Sequence, residues 1–153
     1  MNIGSGLGWP SRQLSNFAPS PFVIDGVRCN SMEGFIQSLK FKNPEMQKFV
    51  CLLVGRCAKF KGKDKKWWMR PPKEQLWWMG SGFPGHSDEH LWLVKRALRC
   101  KFLQHNGSMR ALIATRDAVL THSVGKEDRT SLRASDFCRM LTEIRDELKR
   151  RSK

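Results

Sequence analysis

The chain of 153 residues has no tyrosine, no Cys-x-x-Cys pair and no long apolar run, and its 14 acidic residues are half the number of its 28 basic ones. Each of these shortages excludes something. A membrane helix needs about 18 or more consecutive apolar residues, and none occur. The opening MNIGSGLGWPSRQLSNF lacks both the basic and the apolar regions of a secretory leader. The expectation is therefore a cytoplasmic protein with no membrane partner. The five cysteines, Cys29, Cys51, Cys57, Cys100 and Cys138, are odd in number and show no Cys/His ligand spacing. That indicates neither a disulfide framework nor a zinc site, and predicts reduced, mostly buried thiols. Hydrophobic residues at 40% and charged residues at 27% exclude a collagen-like, coiled-coil or wholly disordered chain. The scarcity of acids leaves a net charge of +14. Such a surplus favours polyanionic partners, namely nucleic acid, nucleotide phosphates or an anionic surface.

The first twenty residues are rich in Gly, Ser, Pro and Asn, which supply turns. Phe22-Val23-Ile24 and Val27-Arg28-Cys29 flank Asp25-Gly26, a two-residue hairpin signal. Ser31 or Asn30 can cap a helix carrying Phe35, Ile36, Leu39 and the later Phe41, with Glu33 and Gln37 one turn apart. Asn43-Pro44 opens a second helix whose stripe is Met46, Phe49, Val50, Leu53 and Val54, with Gly55 expected at its end. From Arg56 to Lys73 there are eight basic residues, one acid and the pair Trp67-Trp68, which reads as a surface segment ended by Pro71-Pro72. Trp77-Trp78-Met79 predicts a packed turn before a glycine-rich loop. Ser87 or Asp88 caps a long helix marked by Leu91, Val94, Leu98, Phe102 and Leu103, expected to end near Asn106-Gly107. A short helix over Met109–Ala114, a strand over Ala118–His122 and a last helix from about Ala134 to Arg150 complete the pattern. With no repeat and no linker, residues 1–153 form a single α+β domain, mostly helical, with a few short strands.

Several of these segments stand in a familiar order. Leu14-Ser15-Asn16-Phe17, the Asp25-Gly26 hairpin, Ser31-x-Glu33, Gln37 and Lys40-Phe41 resemble the opening of the YbiA-like, or NADAR, superfamily of N-glycosidases. The resemblance continues through Gly55-Arg56, through Val94, Ala97, Leu98, Lys101 and Phe102, and through Leu112, Ala114, Thr115 and Asp117. It closes with Leu120, His122, Leu141, Ile144, Arg145, Glu147 and Leu148, so it spans nearly the whole chain in order. The glycine-rich start is most similar to the tailed-phage branch, which implies a phage-encoded protein working in the host cell cytoplasm. The superfamily resemblance implies a YbiA-like fold and hydrolysis of an N-glycosidic bond in a ribosyl-phosphate or ADP-ribosylated nucleotide or base. Relatives carry an Asp-x-Trp-Gly-x-Gly stretch where this chain has Ser123 to Thr130 and no Trp, which bears on activity and substrate choice.

Breaking a C1′–N bond builds positive charge on the ribose and negative charge on the departing base. A carboxylate near C1′ stabilises the former or activates water, and a proton donor helps the latter. Glu33, in a helical first turn beside apolar neighbours, is the candidate carboxylate, and a Glu favoured there by the helix dipole is the alternative. Lys40, two turns on, is a charge partner or an exposed lysine. His122 is a proton donor or a structural strand-end residue. Asn16 either bonds ribose hydroxyls or makes an Asx turn. Arg56, after a helix-ending Gly, is a bidentate phosphate contact or a solvated helix-terminal charge, Asp117 is a second carboxylate or a turn residue, and of the doublets Trp67-Trp68 and Trp77-Trp78 one, Trp68, is expected to stack a base, the others being core or satellite core. The run 56–73 also fits a sequence-tolerant nucleic-acid surface. Gly4-Ser5-Gly6-Leu7-Gly8 lacks the strand and helix that would make it a phosphate loop. Neither metal nor cofactor is implied, since carboxylates and water suffice for this hydrolysis. Three classes stay open: an N-glycosidase, a catalytically inactive module binding an ADP-ribose-like ligand, nucleic acid or a host protein, and a charge-driven nucleic-acid binder.

Overall fold

A computed structural model describes residues 1–123 and 129–152. Local chemistry sets most of its elements. The hairpin β2 (Phe22–Ile24) and β3 (Val27–Cys29) is antiparallel, with Ile24 opposite Val27. Asp25 and Gly26 both adopt positive φ, 51° and 76°, the pair a two-residue turn of this hand requires. Side chains cap four of the described helices: Ser31 accepts from Gly34 N at the start of α2 (Met32–Ser38), Asn43 from Met46 N at α3 (Pro44–Cys51), Ser87 from His90 N at α5 (Asp88–Gln104) and His105 from Ser108 N at the helix that follows α5. Helix α7 (Ala134–Arg151) buries Phe137, Met140, Leu141, Ile144 and Leu148 along one face, as the 3.6-residue period predicts.

Helix α2 is the centre of the architecture. All seven of its residues are buried, and it packs against α3, α4 (Gly55–Gly62) and α5. Helices α5, α6 (Asn106–Ala114) and α7 pack on one another, and the β2–β3 hairpin lies along α5. Phe35, Leu98, Phe102, Leu112, Phe137 and Leu141 are fully enclosed where these elements meet, each contributing about 1.5–3 kcal/mol of apolar burial. Ion pairs link α5 to α7 on the outside, Lys95 to Glu143 at 2.5 Å and Arg99 to Glu147 at 2.6 Å. The strands form three separate two-stranded pairs. No helix among the described residues is long and apolar enough to cross a membrane.

The α+β class with few, short strands is the observed one. Several boundaries differ from expectation. The first twenty residues hold β1 (Asn2–Ile3) and α1 (Ser11–Leu14), where only turns were expected. The strand expected over Ala118–His122 is only β6 (Thr121–His122), which pairs in parallel with β1. That pairing joins residues 119 positions apart in the sequence, so no local signal announces it. Helix α3 stops at Cys51, and Gly55, at φ +52°, begins α4 instead of ending α3. The stripe expected to face the core is partly exposed, with Phe49 at 51%, while Gln47 is buried and bonds Trp77 O at 2.7 Å. The run from Arg56 is not wholly surface: Ala58, Gly62 and Trp67 are buried. Trp77-Trp78-Met79 is not a packed turn but strand β4 (Leu76–Trp78), paired with β5 (Ser81–Phe83) through a turn at Met79 and Gly80, both at positive φ. Asn106-Gly107 opens α6 instead of ending α5, with His105 as its cap.

Candidate active site

The start of α2, the segment after α1, the β1–β6 pair, α4 and the stretch around Trp68 surround a cleft of about 700 Å³. Glu33 lies in it, in the first turn of α2 and only 9% exposed. Its own N–H donates to the Asn16 carbonyl at 2.9 Å, which ties the segment after α1 to the helix start. One turn along, Gln37 Nε2 donates to Glu33 Oε1 at 2.8 Å. Burial pushes the Glu33 carboxyl above its ordinary value, against the Gln37 hydrogen bond and the charges of Lys40 and Lys59.

Lys40, just past the end of α2, also lines the cleft. Burial pulls it down to about 8; Glu33 pulls it back up, and Arg70 and Lys59 add to the lowering. The Nδ1 of His122 lies 2.9 Å from the Ile3 carbonyl. A carbonyl only accepts, so Nδ1 carries the hydrogen and donates it, leaving Nε2 an acceptor in the neutral ring. With Nδ1 so engaged, Nε2 is the ring nitrogen left for a ligand, an acceptor in the neutral ring and a donor in the imidazolium. Asn16 Oδ1 and Gln37 Oε1 are buried acceptors that no described residue satisfies. Both residues line the cleft, although each oxygen is itself enclosed, Gln37 Oε1 facing Gly62 of α4.

Of the four doublet tryptophans, Trp68 alone lines the cleft; Trp67, Trp77 and Trp78 are buried. Trp68 stands edge-on to Trp67 with centroids 6.2 Å apart, and the Arg129 guanidinium lies 5.3 Å from its ring. The structure thus brings together Asn16, Glu33, Lys40, Trp68 and His122. It does not bring Arg56 or Asp117 to them. Arg56 is exposed on α4 outside the cleft lining. Asp117 is at the surface, where Lys149 pairs with it at 2.7 Å and holds its carboxyl below the usual range. Its neighbour Thr115 accepts from buried Arg145 at 2.9 Å, so that stretch secures α6 to α7.

Sequence reasoning missed other members. Lys59, Lys63 and Arg129 bring positive charge to the cleft, and Gly4 and Ser5 of the glycine-rich start line it too. The i,i+4 spacing of Lys59 and Lys63 was the available signal. Lys101, fully buried on α5, donates to Ser15 O at 3.4 Å, and burial pulls it down to about 7. Its place in the apolar period of α5 was the clue. Of the divergent Ser123–Thr130 stretch, residues 124–128 lie outside the described residues.

The bacteriophage protein GP30.3 family matches residues 8–146. The chain belongs to this phage family. A relative in Enterobacteria phage T4, the uncharacterized 17.1 kDa protein in the Gp30-rIII intergenic region, is 34% identical over 151 residues, covering 97% of this chain and 98% of that protein. The NMR structure of the E. coli protein YbiA is similar at a TM-score of 0.68 and 22% identity, covering 99% of this chain and 86% of that one. At that identity the likeness shows the fold alone, so this GP30.3 family member has a YbiA-like fold.

Proposed function

We propose that this cleft hydrolyses the N-glycosidic bond of a ribosyl-phosphate or ADP-ribosylated nucleotide or base, with Glu33 as the group on which turnover depends. The observation that carries the reading is a carboxyl group, buried and pushed up in pKa, in a cleft lined by Lys40, Lys59, Lys63 and Arg129. A cleft of about 700 Å³ is of the size that holds small ligands such as nucleotides.

In the reaction, the C1′–N bond breaks, a water oxygen bonds to C1′, the departing base takes a proton from Lys40, and the proton the water gives up passes by way of Glu33 to restore Lys40. Glu33 as carboxylate stabilises the oxocarbenium-like ribose and orients that water. Lys40, with a pKa of about 8, holds a transferable proton near neutrality and is the donor to the base. His122 Nε2 and the Asn16 side chain contact the ribose hydroxyls. The Lys59, Lys63 and Arg129 cations bind the phosphates, and Trp68 stacks the base.

Product release followed by HPLC over a panel of ribosylamino phosphates and ADP-ribosylated bases tests the reading. The expected result is free base from the native protein and at least a hundredfold less from Glu33→Gln. A native protein that is silent across the panel overturns it, and calorimetric binding without turnover then selects the inactive binding module.

A further inference from the structure

Helix α4 and the residues just past its end carry two pairs of lysines. Lys59 on α4 and Lys63 at its C-cap line the cleft described above. Lys61 on α4 and Lys65, three residues past its end, line a different groove of about 680 Å³ with Phe41, Lys42, Met46 and Phe49. Residue Phe49 is 51% exposed, and Phe60 on α4 is 64% exposed. Ammonium groups sit beside these rings: Lys61 Nζ 5.7 Å from Phe49, Lys65 Nζ 5.0 Å from Phe41 and Lys63 Nζ 5.2 Å from Phe60. The groove's acid, Glu45, is already paired with Lys48 at 3.2 Å.

Exposed aromatic faces flanked by cations suit a partner that alternates flat rings with negative charge; Lys42 lies 3.9 Å from Glu74, while Lys61 and Lys65 pair with no acid among the described residues. We propose that this groove binds a single-stranded nucleic acid, with a base stacked on Phe49 and neighbouring phosphates on Lys42, Lys61 and Lys65. Stacking needs unpaired bases, so a single strand is favoured over a duplex. An acidic peptide matches the charge but supplies no ring for Phe49. The site is separate from the hydrolytic cleft and does not depend on its chemistry.

Fluorescence anisotropy of a labelled oligothymidylate with the full chain provides the test. The single strand is expected to bind more tightly than a duplex of equal length, and Phe49→Ala and Phe49→Leu each to weaken it about tenfold. The Lys61→Ala/Lys65→Ala pair should weaken it too and lower the slope of log Kd against log salt by about 1.4. Trp92→Ala, which removes an aromatic that is 65% exposed elsewhere, should change nothing. Circular dichroism confirms that each variant is folded. Equal or tighter duplex binding, an unaffected Phe49→Leu protein, or a Trp92→Ala loss as large as that of Phe49→Ala overturns the proposal. So does displacement of the strand by poly-glutamate at equal charge, which points to an acidic protein occupant.

Discussion

The Gln37 amide donates to the Glu33 carboxylate at 2.8 Å, and Gly62 of α4 lies so close behind it that a Cβ there would meet Gln37 Oε1. The absent side chain at 62 therefore sets how α2 presents its carboxylate. Gly34 does something different: a Cβ there would meet the backbone oxygens of Leu53 at 2.6 Å and of Cys51 and Val50 at 2.9 Å. Flexible Gln37 can move aside, whereas backbone carbonyls cannot. Gly62→Ala should lower turnover several-fold with stability within about 1 kcal/mol of native, because the helix gain of Ala over Gly offsets the crowding. Gly34→Ala should cost about 1–3 kcal/mol from overpacking. Urea melts of both proteins check this, and a Gly34→Ala protein more stable than native contradicts the packing.

Glu33 couples activity and stability in opposite senses. An acid with its pKa raised by burial binds its proton more tightly folded than unfolded, so ionising it costs stability. That cost is absent below the ordinary value of 4.5 and grows as pH rises past it. Glu33→Gln keeps an oxygen for the Gln37 amide but carries no charge. Its Tm should match or exceed the native one at pH 7 to 8, and the advantage should vanish near pH 4, while glycosidic turnover falls at least a hundredfold. Parallel thermal melts across pH and HPLC assays read both effects.

Turnover should decline on the basic side with an apparent pKa near 8, where Lys40 loses its proton. Lys40→Arg keeps the charge but holds its proton far above that range, so its basic limb should move up while kcat drops. A lysine whose pKa is lowered by burial also makes the fold more stable as pH rises from about 8 to its ordinary 10.5. A pH–rate profile with an unmoved basic limb in Lys40→Arg would remove Lys40 from proton donation.

Asp25 anchors the β2–β3 turn to two distant elements. It accepts from both Arg96 nitrogens of α5, at 2.6 and 2.7 Å, and from Trp78 Nε1 of β4 at 2.8 Å. The Arg96 hydrogen bonds hold its carboxyl down at about 2, with help from Trp78 and against burial. A depressed acid contributes stability that is fully present above its ordinary 3.8 and is lost as pH falls through about 2. The side chain is 39% exposed, so solvent screening limits the effect to about 1 kcal/mol. Asp25→Asn tolerates the positive φ, and should lose that amount at pH 7 and flatten the stability curve between pH 4 and 2 in chemical denaturation.

Legibility in the sequence followed the range of the interaction. The hairpin at Asp25-Gly26, the caps Ser31, Asn43 and Ser87, and the apolar face of α7 were all readable, because each is decided by residues within about one helical turn or across one tight turn. The candidate cleft was half readable: Asn16, Glu33, Lys40, Trp68 and His122 converge on it, whereas Arg56 and Asp117 do not. Residue type and order could nominate all seven alike. Arg56 stands in the first turn of α4, one turn before Lys59, and it is Lys59 and Lys63 further along that line the cleft with Glu33.

By itself, the sequence determined the α+β class, the positive charge and most helix starts, since composition and short-range periodicity decide those. Tertiary structure alone decided the site. The β1–β6 pairing carries His122 to Ile3 across 119 positions of the chain. The missing side chain of Gly62 lets α4 close on Gln37. Burial, which depends on every element packed around α2, turns the carboxyl of Glu33 from a helix-start charge into a group held above its usual pKa.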